Sequence, residues 1–256
     1  MNRPLEFKIN GQHSICLDQH VDTEVWTKMF PEMCLGVALS KRFHEPIEIG
    51  HQRAVYDPEH VEPRNFIRNV LQHTEEYKSL MKEPLTNTEL HDYVKFRFKT
   101  KTLGTKLLLR TYDEYHSAFH AKHLAGRNKD TMAMMYFPAL QAWIKSQTVF
   151  NEVGRILFFI NERQTSTPIH SDYADLRSRK DQFIWINFNQ MKPFFVLDKD
   201  GQKQYMQGMV NTFDNANWHG SEPTPYACFT LRIDGVFSSS FLDSTGLRSH
   251  YEDNAR

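Results

Sequence analysis

Cysteine is scarce in this chain, and its placement excludes two classes of scaffold. Only three cysteines occur among 256 residues, Cys16, Cys34 and Cys228, and no two of them form a CxxC pair. A zinc ribbon needs paired cysteines and a disulfide framework normally uses an even number, so the sequence favours neither. Free thiols are typical of a reducing compartment, and we expect a cytoplasmic protein.

Net charge and long apolar runs are also missing. Lys and Arg together number 31, and Asp and Glu together number 31, so no overall field attracts nucleic acid or an anionic membrane. No apolar run approaches the length of a membrane span, and the first residues contain no apolar signal core. We therefore expect neither a membrane nor nucleic acid as a partner, and the sequence predicts no oligomeric state.

One segment departs from this neutral pattern. Residues 93–101 alternate cationic and apolar side chains, which predicts an amphipathic strand with a basic outer face. Such a face would contact nucleic acid or an acidic protein, or it would be the lysine-protected edge of a sheet. A turn at 102–105 would join this strand to a second one over 106–112.

What the chain does contain is enough apolar material for a large core, with 40% hydrophobic and 13% aromatic residues. We predict a mixed α/β region over residues 1–130 that packs on the core, a strand-rich catalytic unit over 131–247 and a polar tail over 248–256. Apolar residues at helical spacing predict helices at 63–81 and 139–150. Strands are predicted at 155–161, 182–188, 194–198, 203–210 and 226–233, with a tight turn at 198–201.

A His-x-Asp motif, His170 and Asp172, lies between two of the predicted strands. Side chains i and i+2 of an extended backbone project to the same side, so both can reach one ion. His219 is the best candidate for a third ligand, because it lies in a turn-rich stretch before the last predicted strand. Roughly one such motif is expected by chance, and a lone histidine is usually just a hydrogen-bonded side chain. The ordered set is what predicts a metal site, since two imidazoles and a carboxylate are typical of non-haem iron oxygenases.

Arg232 lies on that last strand, and alternation places it on the same face as Thr230, opposite an apolar face. A guanidinium offers a planar fork of N–H donors, which suits a carboxylate bound by two parallel hydrogen bonds. On the strand after the motif, Asn187 is a further candidate donor to a carboxylate. Trp185 on the same strand is a candidate for contact with a substrate.

These residues resemble the Fe(II)/2-oxoglutarate-dependent dioxygenases, over roughly residues 131–236. That superfamily has a His-x-Asp pair, a distal His and an Arg on a following strand, matched here by His170, Asp172, His219 and Arg232. The closest likeness is to the aspartyl/asparaginyl β-hydroxylase and proline hydroxylase-like branch, whose Val-Gly-Arg strand entry is matched by residues 153–155.

The resemblance implies an α+β protein with a double-stranded β-helix core, also called a jelly-roll or cupin-like barrel, with N-terminal α/β elements and flanking helices. It implies that the His-Asp-His set holds Fe(II), with 2-oxoglutarate as co-substrate and O2 as oxidant. Arg232 would bind the distal carboxylate of 2-oxoglutarate, with Thr230 and Asn187 as further donors. The reaction would be hydroxylation of a C–H bond, with formation of succinate and CO2.

The resemblance leaves the substrate open between an amino acid, a small carboxylate and a peptide or protein side chain. Arg177 and Arg179 follow the motif and, with Trp185, are the predicted substrate contacts, unless they belong to a solvated loop. Two other functions stay open. A cupin-fold metalloenzyme that does not use 2-oxoglutarate would leave Arg232 as a structural residue, and a catalytically silent barrel would serve as a binding module.

Overall fold

The computed structural model of the protein describes residues 6–46, 64, 67–68, 75–82, 84–98, 104–112, 128–167, 169–172 and 181–252. Their first part contains four strands and three helices. In chain order these are β1 (Ser14–Cys16), α1 (Thr23–Leu39), β2 (Glu45–Pro46), α2 (Glu75–Leu80), α3 (Asn87–Phe98), β3 (Gly104–Tyr112) and β4 (Asn128–Asp130). None of the described helices combines the length and apolarity that crossing a membrane requires.

The second part is dominated by strands. A 3-10 turn at Met132–Tyr136 leads into α4 (Pro138–Ser146), and a second 3-10 turn at Phe188–Gln190 follows β6. The remaining elements are β5 (Phe150–Asn161), β6 (Phe183–Ile186), β7 (Phe194–Leu197), β8 (Lys203–Tyr205), β9 (Val210–Phe213), β10 (His219–Ser221), β11 (Cys228–Phe237), α5 (Ser239–Thr245) and α6 (Arg248–Glu252).

The strands of the described residues form two antiparallel sheets, so the protein is a mixed α/β fold built on a large antiparallel sheet. The large sheet has eight strands in the order β1-β9-β6-β11-β5-β3-β2, with β4 paired to β3. The small sheet has three strands in the order β10-β7-β8. Strands β1 to β4 come from the N-terminal region, which therefore contributes to the same large sheet as β11.

Alternation along the strands divides the large sheet into an outer and an inner face. On β11, Leu231 and Ile233 point to the outer face, where they join Ile184 and Ile186 of β6 in one apolar core. Helix α1 covers this core through three buried residues, Trp26, Met29 and Met33. Because the outer face is sealed by helix, the inner face alone is left for a site between the sheets.

The inner face packs against the small sheet through aromatic side chains. The Trp185 and Phe194 ring centroids lie 4.4 Å apart, and those of Phe194 and Phe213 lie 5.7 Å apart. On the other side of the small sheet, Phe195 and Leu197 pack in a separate cluster that includes Leu90 of α3. The two sheets therefore face each other across an aromatic layer, with helices outside both.

The strand predicted at 93–101 is wrong, because α3 runs through it as far as Phe98. The helix begins with a capping box: Thr86 donates its backbone N–H and its hydroxyl to Glu89, both at 2.8 Å, and Glu89 N–H donates back at 3.3 Å. This signal lies several residues before the alternating stretch. Residues 93–98 therefore lie on a helix and do not form a hairpin with residues 106–112, and residues 99–101 lie outside the described residues.

The predicted turn at 198–201 is confirmed. Strands β7 and β8 pair as a hairpin, Gly201 adopts a φ of 74° and Asp198 O accepts from Gly201 N–H at 3.0 Å. The polar tail predicted at 248–256 instead begins with α6, whose Tyr251 ring packs edge-on to Phe237 at 5.6 Å. The Tyr251 ring thus anchors α6, whose other residues are polar.

Gly36 lies where α1 packs closely against Tyr136 and Phe137, at the end of the 132–136 turn. A Cβ atom at this position would lie 2.5 Å from the Phe137 ring and 2.7 Å from the Tyr136 carbonyl oxygen. We predict that Gly36→Ala lowers the free energy of unfolding by about 1–3 kcal/mol through overpacking, despite a gain of about 1 kcal/mol in helix propensity. Urea unfolding measures it, with Cys34→Ala at an exposed position of α1 as the control. A more stable Gly36→Ala variant would contradict this packing.

Candidate metal centre

Backbone hydrogen bonds alone are enough to bring His170 and His219 side by side. His170 N–H donates to His219 O at 2.9 Å and His219 N–H donates to His170 O at 2.8 Å, so the two residues form an isolated antiparallel bridge. Residues directly opposite each other in an antiparallel pair project to the same side. Their imidazole centroids accordingly lie 4.3 Å apart.

Asp172 reaches the same place from two residues further along. Its backbone N–H donates to Asn215 O at 3.0 Å, and the hydroxyl of the intervening Ser171 donates to Ala216 O at 2.8 Å. These contacts hold the motif against the turn that precedes β10. The Asp172 Oδ1 atom lies 3.5 Å from His170 Nε2 and 3.8 Å from His219 Nε2.

The three predicted ligands therefore meet, with ligand atoms that all lie within 4.8 Å of one another. His219 is prepared for coordination, because its Nδ1 lies 2.8 Å from the Asn217 carbonyl oxygen. A carbonyl only accepts, so Nδ1 carries the proton and Nε2 keeps a free lone pair. Burial, together with the neighbouring His170, lowers the pKa of His219 to about 3, and the ring is neutral at neutral pH. This donor set fits a divalent transition metal.

The residue predicted to bind the co-substrate, Arg232, is already surrounded by carboxylates. Its Nε donates to Asp234 Oδ1 at 2.7 Å, its Nη1 donates to Asp172 Oδ2 at 2.9 Å, and its Nη2 lies 4.0 Å from Asp181 Oδ2. Burial would lower the pKa of Arg232, but the charges of Asp234, Asp172 and Asp181 raise it well above its usual value. The guanidinium also lies over the Phe183 ring, 4.0 Å from its centroid.

This arrangement fixes the orientation of the metal-binding carboxylate. Arg232 and the Asn215 side chain, at 2.9 and 2.7 Å, both donate to Asp172 Oδ2. The other oxygen, Oδ1, is the one that faces the histidines. With Arg155 donating to Asp234 Oδ2 at 2.8 Å, two arginines face three carboxylates in one cluster. Before any metal binds, the cluster therefore carries an excess of negative charge.

Of the other residues predicted to bind the co-substrate or the substrate, Thr230 and Trp185 lie on the inner face, whereas the Asn187 side chain is used in a turn. Thr230 is fully buried on the same strand face as Arg232, and its hydroxyl has no hydrogen-bond partner among the described residues. Trp185 lies opposite Arg232 in the β6–β11 pair and packs on Phe194. The Asn187 amide, by contrast, donates to Lys192 O at 2.8 Å and accepts from Lys192 N–H at 3.0 Å. It closes a turn, which gives this side chain a structural role.

Two of the predicted substrate residues, Arg177 and Arg179, lie outside the described residues, so their placement stays a prediction. Several residues around the site were not proposed as site residues from the sequence: Asn211, Asn215, Asp181, Asp234 and Lys192. A signal was present for Asp234, which is two residues from Arg232 on the same strand face. Asp181 and Lys192 have no such signal, because they flank strands and reach the site only through the fold.

No protein-family model and no curated protein sequence matches this chain. Among solved structures, the chain is similar to an oxidoreductase of the 2OG-Fe(II) oxygenase family from Burkholderia pseudomallei, with 10% identity, 59% of this chain and 82% of that chain covered, and a TM-score of 0.32. It is also similar to a full-length Neurospora crassa protein in complex with alpha-KG. The identity is 8%, the match covers 82% of this chain and 81% of that chain, and the TM-score is 0.30. Likenesses this weak carry no argument about function, which depends on the site itself.

The contacts of Arg232 with the carboxylate cluster predict that this residue stabilises the fold even when no ligand is bound. Arg232→Ala would leave buried carboxylates without their counter-charge, and we expect a loss of about 3–5 kcal/mol in the free energy of unfolding. Urea unfolding without added metal measures the loss. Arg155→Ala is the matched control, because it removes the more exposed partner of Asp234 and should cost about 1 kcal/mol or less. Equal stability of the two variants would contradict the role of Arg232 as the main counter-charge of these buried carboxylates.

Proposed function

We propose that this protein is an Fe(II)- and 2-oxoglutarate-dependent oxygenase that hydroxylates a C–H bond, with a double-stranded β-helix formed by its two facing sheets. The observation that carries the proposal is the convergence of His170, Asp172 and His219 within 4.8 Å. The strand order of the large sheet, the short second sheet and the position of the site between them are consistent with a jelly-roll core.

The ligand set favours a catalytic ion over a structural one. Structural zinc sites are closed by four protein ligands, most often with cysteine among them. Here the cluster found among the described residues contains three ligands, and none of them is a thiolate. Two imidazoles and one carboxylate leave coordination positions for a co-substrate and for dioxygen. The set therefore fits Fe(II) in an oxygenase.

When bound, Fe(II), 2-oxoglutarate and O2 would supply the oxidising power for hydroxylation, with succinate and CO2 as by-products. The residues of this chain would position and shield that chemistry. Asn217 holds the His219 ring, and Arg232 with Asn215 presents one oxygen of Asp172. The aromatic layer between the sheets excludes water from the inner face, a condition that suppresses side reactions.

The proposed substrate is an amino acid, a small carboxylate, or a peptide or protein side chain. Arg177, Arg179 and Trp185 stay the predicted substrate residues. Trp185 lies on the inner face, where it is buried beside Phe194.

A second candidate function is favoured by one observation, the engagement of Arg232 with carboxylates. A cupin-fold metalloenzyme that does not use 2-oxoglutarate would keep this arginine for structure alone. The two functions can be told apart by whether the protein forms succinate from 2-oxoglutarate. Metal-dependent conversion of 2-oxoglutarate to succinate supports the first, and its absence in a metal-loaded protein supports the second.

The metal assignment predicts that His170→Ala and His219→Ala each abolish stoichiometric binding of Fe(II) and, with it, succinate formation. Each variant removes one of three ligands, and the remaining pair is too weak to retain the ion. Anaerobic equilibrium dialysis measures bound iron, and circular dichroism checks the fold. The control is His13→Ala, a histidine near Glu6 and outside the cluster. Undiminished iron binding by both site variants would overturn the assignment.

The co-substrate is tested separately in the iron-loaded wild-type protein under anaerobic conditions. Addition of 2-oxoglutarate should produce a weak visible charge-transfer band, because a 2-oxo acid chelates the ion through its keto oxygen and carboxylate. Iron binding without this band would leave the metal site standing and would reject 2-oxoglutarate in favour of the second function.

A further inference from the structure

Lys192 is a buried cation that the proposed function has not used. It lies two residues before Phe194 of β7, and only 2% of its surface is exposed. Its Nζ donates to the Asn161 side-chain oxygen at 2.7 Å and lies 5.7 Å from the centroid of the Phe194 ring. Phe194 belongs to the aromatic layer between the sheets and packs 5.8 Å from the His219 ring. The ammonium group therefore lies inside, between the two sheets.

No described carboxylate neutralises this ammonium group. Among the described residues, its hydrogen bond is to a neutral amide oxygen, that of Asn161. Burial lowers the pKa of Lys192 to about 8, so most of the side chain is still protonated at neutral pH. A buried positive charge without a counter-charge is costly, and such a group is suited to receive an anion.

Thr230 supplies a second, independent observation on the same strand face as the Asn161 contact of this lysine. On the inner face, Asn161 lies opposite Cys228 and Phe159 lies opposite Thr230 in the β5–β11 pair. The Lys192–Asn161 contact, Thr230 and Arg232 therefore follow one another along the inner face of β11. The Thr230 hydroxyl is fully buried and has no hydrogen-bond partner among the described residues. An unpaired buried hydroxyl is unfavourable and is normally satisfied by a ligand or by water.

Arg232 is less suited to bind a free carboxylate than the sequence suggested. Its Nε and Nη1 are occupied by Asp234 and Asp172, so the two-bond grip expected of a guanidinium is not free. Only Nη2 lacks a hydrogen bond among the described residues, and Asp181 lies 4.0 Å from it. Among the described residues, an incoming anion would meet three carboxylates around this arginine and no carboxylate paired with Lys192.

We propose that Lys192, together with the Thr230 hydroxyl, binds the far carboxylate of a dicarboxylic 2-oxo acid whose other end reaches the metal, and that Arg232 instead positions Asp172. This inference rests on the proposed function, and it moves the anion subsite from the end of β11 near the carboxylate cluster to the end near Asn161. Lys192 and Thr230 are thus assigned as specificity determinants for a second carboxylate group.

The test compares two 2-oxo acids that differ in that group, 2-oxoglutarate and pyruvate, on protein loaded with Mn(II) as a redox-stable ion. Isothermal titration calorimetry measures both affinities, and thermal unfolding measures the stability of the ligand-free protein. Wild-type protein should prefer 2-oxoglutarate. Lys192→Met should weaken 2-oxoglutarate binding about ten- to hundredfold and leave pyruvate binding unchanged, because a charge-assisted hydrogen bond is lost. The ligand-free variant should melt no lower than wild type, since an unpaired buried charge is removed.

Thr230→Val provides a second variant should Lys192→Met fail to fold. It removes the unpaired hydroxyl at nearly constant volume, and it should weaken 2-oxoglutarate binding several-fold without lowering the melting temperature. The matched control is Lys203→Met, because the Lys203 Nζ also lies over a phenylalanine ring, at 4.4 Å, but is ion-paired with Glu222 on the small sheet. This control should bind both 2-oxo acids like wild type.

The outcomes separate the two proposals. A wild-type protein that binds neither 2-oxo acid would overturn the 2-oxoglutarate function and this inference together. A wild-type preference for 2-oxoglutarate that survives in both Lys192→Met and Thr230→Val would leave the function intact and overturn the subsite. Loss of the preference in Arg232→Lys alone would return the far carboxylate to Arg232.

Discussion

The pair of backbone hydrogen bonds between His170 and His219 is the constraint on which the site depends. It joins two segments that are 49 positions apart in the printed sequence, and it places both imidazoles on one side without any contribution from the side chains. Asp172 then needs only an extended backbone to arrive beside them. A metal centre of this kind is assembled by main-chain geometry, and side-chain contacts refine it.

The two faces of the large sheet have different roles: the outer face stabilises the fold and the inner face carries the site. The outer face is apolar and is covered by α1 and neighbouring helices, so it supplies most of the stabilising burial. The inner face carries the charged and amide side chains, and the small sheet closes it with aromatic rings. Polar groups are tolerated there because most are hydrogen-bonded to one another. Among the described residues, the side-chain groups on this face without a hydrogen bond include the Thr230 hydroxyl, the Asn211 amide and Arg232 Nη2.

Charge is distributed unevenly along the inner face, and this decides what each cation can do. Arg232 lies among three aspartates and is best explained as the group that orients Asp172. Lys192 lies at the other end, with an amide oxygen and an aromatic ring as its neighbours. Among the described residues of this face, Lys192 is therefore the cation without a carboxylate partner, although the arginine has the side chain better shaped for carboxylates.

Local sequence determined β5 to β8 and β11, the turn at 198–201 and the identity of the three metal-ligand candidates, because alternation and turn chemistry act over a few residues. Strands β9 and β10 were not predicted as separate strands, since β9 lies almost wholly beyond the strand predicted at 203–210 and β10 lies in a stretch interpreted as turns. The 93–101 segment was misassigned, since its alternation competes with a capping box that begins outside it. Only the tertiary structure decided which partners Arg232 and Lys192 have. Those partners lie on other strands and turns, Asp172 being 60 positions from Arg232 and Asn161 31 positions from Lys192. A charge in a sequence has no fixed neighbour, and its role depends on which opposite charge or polar group the fold brings to it.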